Sequence, residues 1–199
     1  MTFLKDTNSG KLLKEIRANS PLIWNISNFV SMDIAANMLL SIGASPAMAH
    51  AIEEAESFAN LSKAINGALT INIGTFDKHW QKCAVKVANE AKLHDIPWVL
   101  DPVGAGASEF RSNNAKELLF LKPTVLRGNG SEIISISGIS NSGKGVDSTS
   151  SSNEALDAAI KISNDNDIIV VITGEVDYVT NGSKAVSYTH LTLPTIRTV

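Results

Sequence analysis

The chain has 199 residues, 44% apolar and 19% charged, with a formal net charge of −3, which allows one substantial core and is ordinary for a globular protein. No Lys/Arg-rich run supports a nucleic-acid or membrane-surface role, no apolar stretch has the length of a membrane span, and the polar start MTFLKDTNSGK does not read as a secretion signal. The single cysteine, Cys83, cannot form an internal disulfide, which fits a cytoplasmic setting, and four scattered histidines show no metal-ligand spacing.

In chain order, Leu12, Leu13 and Ile16 predict a short helix ending before Ser20-Pro21, and LIWNI reads as a strand. Ser31 is placed to cap a helix whose face carries Ile34, Ala35, Met38, Leu39 and Ile42, with Gly43 past its end. SPAMA is a short strand. Ile52 to Ile65 reads as a helix with an acidic first turn, and ALTINI as the next strand. Trp80, Ala84, Val87 and Ala91 fall on one helical face. IPWVL is a strand, Ala115, Leu118 and Leu119 mark a helix after Ser112, PTVL is a strand, and Ser131 to Ser137 is helical. The polar stretch GKGVDSTSSSN leads into a helix from Asn153 through Leu156, Ala159 and Ile160. DIIVVI is apolar throughout after its Asp167, which predicts a strand buried on both faces, and DYVTNGSKAV predicts a hairpin around Asn181-Gly182. Strands and helices alternate with short joints, so the expected fold is α/β: a mostly parallel sheet with helices on both sides. No repeat and no boundary between two domains stands out.

Ligands of open α/β sheets sit beyond the carboxyl ends of the strands. The strand tips here carry Asn25 with Ser27-Asn28, Met48 and His50, Gly74-Thr75, Asp101 with its glycine loop, Arg127-Gly128-Asn129, and Thr173-Gly174-Glu175. Any one tip is explained by the needs of turns and caps. Asp101, Arg127 and Thr173 at three separate tips suit a phosphorylated ligand better. Arg127 offers a fork to phosphate oxygens, Thr173 a hydroxyl donor, and Asp101 a partner for magnesium. By contrast, Gly104-Ala105-Gly106 is not a full dinucleotide fingerprint, and GSKAV and SGKGVD lack phosphate-loop spacing. The histidines show no obvious partners and read as surface or cap residues. Cys83 reads as packing.

The ordered motifs IGASPAMAHAIEE, LTINIGT, IPWVLDPVGAGAS, KPTVLRGNGSEI, GKGVDS and VITGEVDYV resemble the hydroxyethylthiazole kinase family over roughly residues 10–185. The resemblance implies a ribokinase-like fold and transfer of the ATP γ-phosphoryl group to the primary alcohol of hydroxyethylthiazole, in thiamine biosynthesis. It implies substrate contacts at Met48 and Asn25, ATP contacts at Arg127 and Thr173, and acidic positions near magnesium and phosphate at Asp101 and Glu132. It also implies a homotrimer with active sites between subunits. After Asn25 this chain reads ISN where the family commonly has ITN.

Family members continue into a Gly-Thr-Gly-Cys motif whose N–H groups receive the transferring phosphate and whose cysteine is the candidate base. This sequence contains no such motif, and Cys83 lies too early to stand in. The reading is therefore an incomplete kinase domain over 1–185, lacking the last helices and close to inactive by itself. A non-family tail follows over 186–199. Val186 to Leu191 match the translation of a transposase adapter used in sequencing libraries; a real, divergent C-terminus is the competing reading. Two further alternatives are a related kinase acting on a hydroxymethylpyrimidine, against which Met48 and TGEVDYV speak, and a non-catalytic thiazole- or nucleotide-binding protein.

Overall fold

The computed structural model describes residues 8–139 and 148–189. Their contacts form two compact units, with the boundary between Trp98 and Val99.

The first unit contains α1 (Asn8–Asn19), β1 (Leu22–Ile26), α2 (Met32–Ile42), β2 (Ser45–Ala47), a 3-10 turn at Ile52–Glu54, α3 (Ala55–Ala64), β3 (Ala68–Asn72) and α4 (Lys78–Leu93). β1 lies between β2 and β3 and runs parallel to both, with Trp24 level with Ala47 on one side and Leu69 on the other. Trp24, Ile26, Leu69 and Ile71 are buried in its core. The helical period of the sequence places Cys83, Ala84, Val87, Ala88 and Ala91 on the buried face of α4. The Asp77 carboxylate caps that helix, accepting the N–H groups of His79 and Trp80 at 2.9 and 2.8 Å, an arrangement worth about 1 kcal/mol.

Two details differ from the sequence expectation. Ser31 precedes α2 but makes no side-chain cap bond. The Asn28 carboxamide oxygen does that work, accepting the N–H groups of Val30 and Ser31 at 2.9 Å each. The apolar face of α2 is also open: no α2 residue is fully buried, and Ile34 and Met38 are 65% and 60% exposed. Within its unit this helix packs mainly on β2 and α1, and these leave Ile34 and Met38 open.

The second unit contains β4 (Trp98–Asp101, its first residue across the boundary), α5 (Glu109–Phe120), β5 (Val125–Asn129), α6 (Gly130–Ser137), α7 (Ser148–Asn166), β6 (Ile169–Thr173), β7 (Val176–Thr180) and β8 (Ala185–Thr189). The strands follow one another in that order. β4, β5 and β6 are parallel, and β7 and β8 return antiparallel. The expected hairpin is therefore present, its loop held by the Asn181 side-chain oxygen accepting the Lys184 N–H at 2.9 Å. Val186 to Thr189 pair along β7 with every β8 residue exposed, and the tail from His190 lies outside the described residues.

Here too the chain departs from expectation. α5 begins at Glu109, ahead of Ser112, because the Ser108 hydroxyl takes the cap position and accepts the Arg111 N–H at 3.3 Å. α7 begins at Ser148, ahead of Asn153, and the preceding part of GKGVDSTSSSN lies outside the described residues. Burial in β6 alternates: Val170 and Ile172 are buried, whereas Ile169 is 39% exposed. Apolar residues on successive positions point to opposite faces of a strand, and the face of Val170 and Ile172 is the covered one.

Candidate active site

In the second unit the site follows from strand register. Leu100 pairs with Leu126 and Asn129 with Thr173. One step beyond the first pair, Asp101 stands beside Arg127, and the Arg127 guanidinium lies 3.9 Å from the Asp101 carboxylate. Side chains two apart on a strand share a face, and so do directly opposite partners in a ladder. Asp101, Arg127, Asn129 and Thr173 are thus carried on one face at the carboxyl ends of β4, β5 and β6. The Asp101–Arg127 pair is open to solvent, with side chains 27% and 49% exposed.

Two backbone devices shape this rim. Asn129 and Glu132 form a reciprocal capping box at the start of α6: the Asn129 side-chain oxygen accepts the Glu132 N–H at 3.0 Å, and Glu132 Oε2 accepts the Asn129 N–H at 2.8 Å. The other carboxylate oxygen of Glu132 accepts the Gly104 N–H at 2.8 Å. Arg111 donates to the Val103 carbonyl at 3.0 Å. Gly128 is tightly enclosed: a β-carbon there would stand 3.1 Å from Glu132 Oε2 and 3.3 Å from Pro102. Beside the capping box a cavity of about 490 Å³ opens between Asn129, Ser131, Ile134, Ile172, Thr173 and Tyr178. The Thr173 hydroxyl contacts the Gly128 carbonyl at 3.4 Å. This half of the rim combines a guanidinium, a hydroxyl and a partly exposed carboxylate, a set suited to phosphate and an accompanying cation.

In the first unit the tips of β1, β2 and β3 are joined by polar contacts. Asn25 is buried: its amide donates to the Ile23 carbonyl at 2.6 Å and its oxygen accepts the Thr70 hydroxyl at 2.7 Å. Asn28 donates to Asn72 at 2.7 Å, and Asn72 also accepts the Gly74 N–H at 2.9 Å. Thr75 accepts the Phe29 N–H at 3.1 Å. Met48, partly exposed, sits on the loop that leaves β2. Trp80 packs there against Phe29, His50 and Phe76, with the His50 ring stacked at 4.4 Å.

The Hydroxyethylthiazole kinase family model matches residues 13–192. The chain belongs to that family. It is 49% identical to the hydroxyethylthiazole kinase of Rhizobium rhizogenes over 179 residues, covering 90% of this chain and 65% of the relative. The Leptospira interrogans hydroxyethylthiazole kinase is 48% identical, with 88% of this chain and 64% of the relative covered. The chain thus spans just under two thirds of the length of these curated relatives. Among solved structures, the hydroxyethylthiazole kinase protein of Pyrococcus horikoshii superposes with a TM-score of 0.78 and 38% identity, over 94% of this chain and 66% of that one. An ADP complex of Bacillus subtilis pyridoxal kinase, at TM-score 0.60 and 16% identity over 87% of this chain and 76% of that one, shares the fold. The α/β fold is ribokinase-like. The family match runs past Ala185, where the resembling motifs end.

The structure joins the predicted residues in two groups, Asn25 and Met48 in the first unit, and Asp101, Arg127, Glu132 and Thr173 in the second. Glu132 is buried beneath the rim with both oxygens engaged by backbone N–H groups, while the Asp101 side chain is partly exposed. The N-x-x-E spacing of Asn129 and Glu132 is the capping-box signature and is visible in the sequence. The sequence shows no partner for His50, yet it has three: the Ser27 N–H at 2.9 Å, the Met48 carbonyl at 3.2 Å and the Trp80 ring. The contacts with Ser27 and Trp80 join segments far apart in the chain, so spacing alone does not reveal them. Cys83 is buried in α4, and burial, with Glu53 adding to it, pushes its thiol up to about 11.

Proposed function

We propose that the protein phosphorylates the hydroxyl of 4-methyl-5-(2-hydroxyethyl)thiazole at the expense of ATP, in thiamine metabolism. The observation that carries this reading is the common face shared by Asp101, Arg127 and Thr173 at three adjoining strand ends. Arg127 binds phosphate oxygens of ATP, and Thr173, on the wall of the cavity at β6, binds the nucleotide as well. Met48 contacts the thiazole; Asn25 lies beneath the same tip and braces β1 against β3.

Magnesium fits the donors present. It keeps much of its water and is commonly held by one or two carboxylates together with substrate phosphates. An open Asp101 beside a phosphate-binding arginine matches that habit, with Glu132 fixing the loops behind it. When bound, the ion neutralises phosphate charge. The protein's own contribution is alignment: Arg127 draws the phosphate chain to the rim, and Thr173 fixes it by a hydrogen bond.

A cytoplasmic setting accords with the unpaired Cys83. Among the described residues no helix is long and apolar enough to cross a membrane. Assembly into a homotrimer would cover the open face of α2, where Phe29, Val30, Ile34 and Met38 are exposed.

The test combines calorimetry with the thiazole alcohol and with Mg-ATP, and mass-spectrometric detection of the phosphorylated alcohol. Binding of both with transfer supports the kinase. Binding of both without transfer supports the non-catalytic reading. Binding of neither refutes both.

A further inference from the structure

We infer that His50 is a positioning residue for Met48, clasping the loop after β2 to the end of β1. The Ser27 backbone N–H points at His50 Nε2 at 2.9 Å, so that nitrogen must be the acceptor. The ring proton then sits on Nδ1, which donates to the Met48 carbonyl at 3.2 Å. One imidazole thus fixes two strand-end segments through opposite edges, and stacking on Trp80 at 4.4 Å and 22° holds the plane of the ring. A second ring N–H completes the fastening: Trp24 Nε1 donates to the Ala49 carbonyl at 2.9 Å. Consecutive carbonyls, Met48 and Ala49, are therefore each held by an aromatic side chain. The Met48 side chain is left with a fixed backbone beneath it, the condition under which a flexible thioether makes a defined contact. The clasp is a statement about the loop; it rests on the proposed function only for the ligand that Met48 meets.

Three substitutions separate its parts. An asparagine amide reaches the Nδ1 position, a glutamine oxygen reaches the Nε2 position, and phenylalanine keeps only the stacked ring. The first measurement needs no ligand: long-range proton–nitrogen spectra of the wild type are expected to show the Nδ1-protonated tautomer. The Met48 methyl resonance is expected to move in His50→Phe and to stay near its wild-type position in His50→Asn. An Nε2-protonated ring, or a Met48 methyl unmoved by His50→Phe, overturns the clasp. The second measurement is calorimetry with the thiazole alcohol. Loss of the hydrogen bond to the Met48 carbonyl, common to His50→Phe and His50→Gln, predicts affinity lower by about three- to tenfold in both, near-wild-type affinity in His50→Asn, which keeps that bond, and unchanged Mg-ATP affinity in all three. Equal thiazole affinity across the series overturns the positioning role. A wild type that binds no thiazole alcohol refutes the proposed substrate, and the resonance experiment still decides the clasp.

Discussion

Gly104 donates its backbone N–H to Glu132 Oε1 at 2.8 Å, so the glycine loop after Asp101 is fastened to the helix that follows Arg127. The other oxygen of the same carboxylate holds the Asn129 N–H. Removing this side chain strands two donors at a nearly closed site. Charge-assisted hydrogen bonds and a helix cap of this kind predict a loss of about 2–4 kcal/mol for Glu132→Ala. Glu132→Gln should lose roughly half as much, because the amide can accept through one oxygen only. Urea unfolding midpoints of the three proteins check both values. A loss below ~0.5 kcal/mol for Glu132→Ala would show that the clasp contributes nothing.

Arg127 and Asp101 form a solvent-open pair at 3.9 Å. Such pairs contribute little to stability, so Arg127→Gln is expected to leave the unfolding midpoint almost unchanged. Its effect should fall on nucleotide affinity, lower by about tenfold or more from the lost contacts to phosphate. Arg127→Lys should recover only part of that, since an ammonium lacks the planar fork. Calorimetry with Mg-ATP and with adenosine separates the phosphate contribution, because adenosine affinity should not change.

Much of this arrangement is legible in the amino-acid chain. LIWNI, ALTINI and DIIVVI announce strands, Trp80 to Ala91 announces a helix, and polar groups cluster after each strand. Local spacing encodes those features. It does not encode what covers a face: the apolar run of β6 is open at Ile169, and α2 leaves Ile34 and Met38 uncovered. Nor does it encode partners supplied from elsewhere. Asn28 replaces Ser31 as the source of the α2 cap, and His50 gains Ser27 and Trp80 through tertiary contacts.

The turns that lead from helices into strands carry a conformational strain. Asn66, Asp95, Lys122 and Asp167 have φ between 52° and 58° without being glycine. Asparagine and aspartate tolerate this region; lysine has no such local compensation. Lys122→Gly is therefore expected to stabilise the protein by about 0.5–1 kcal/mol, the relief at the left-handed position exceeding the added freedom of the unfolded chain. Thermal unfolding of the variant against wild type measures it. A fall in midpoint would mean that the Lys122 stem contributes packing worth more than the strain.

The open side of α2 makes a prediction about assembly. Phe29 and Val30, in the turn before α2, and Ile34 and Met38 on it are between 60% and 82% exposed, apolar surface of the kind that association covers. If copies of this chain meet there, the double change Ile34→Asp and Met38→Asp should shift the native mass to that of a monomer with little loss of secondary structure. Native mass spectrometry and circular dichroism give the two readings. An unchanged oligomer would place the contact elsewhere.

Cys83 sets a pH dependence whose sign follows from its burial. Only 1% of the residue is exposed. Desolvation, with Glu53 adding like charge, raises the folded thiol from about 9 to about 11. The unfolded thiol therefore ionises first, and ionisation stabilises the unfolded chain. The contribution is fully present below pH ~9 and is lost as pH rises toward 11, at up to about 1.4 kcal/mol per pH unit. Other side chains titrate in that range, so the comparison is between wild type and Cys83→Ala. The stability difference between them should be constant up to pH ~9 and then shift against the wild type. The same burial predicts that a thiol reagent at pH 8 labels Cys83 only at the rate of unfolding. Rapid labelling of the folded protein would show a thiol open to solvent and able to ionise, and would reopen a chemical role for it.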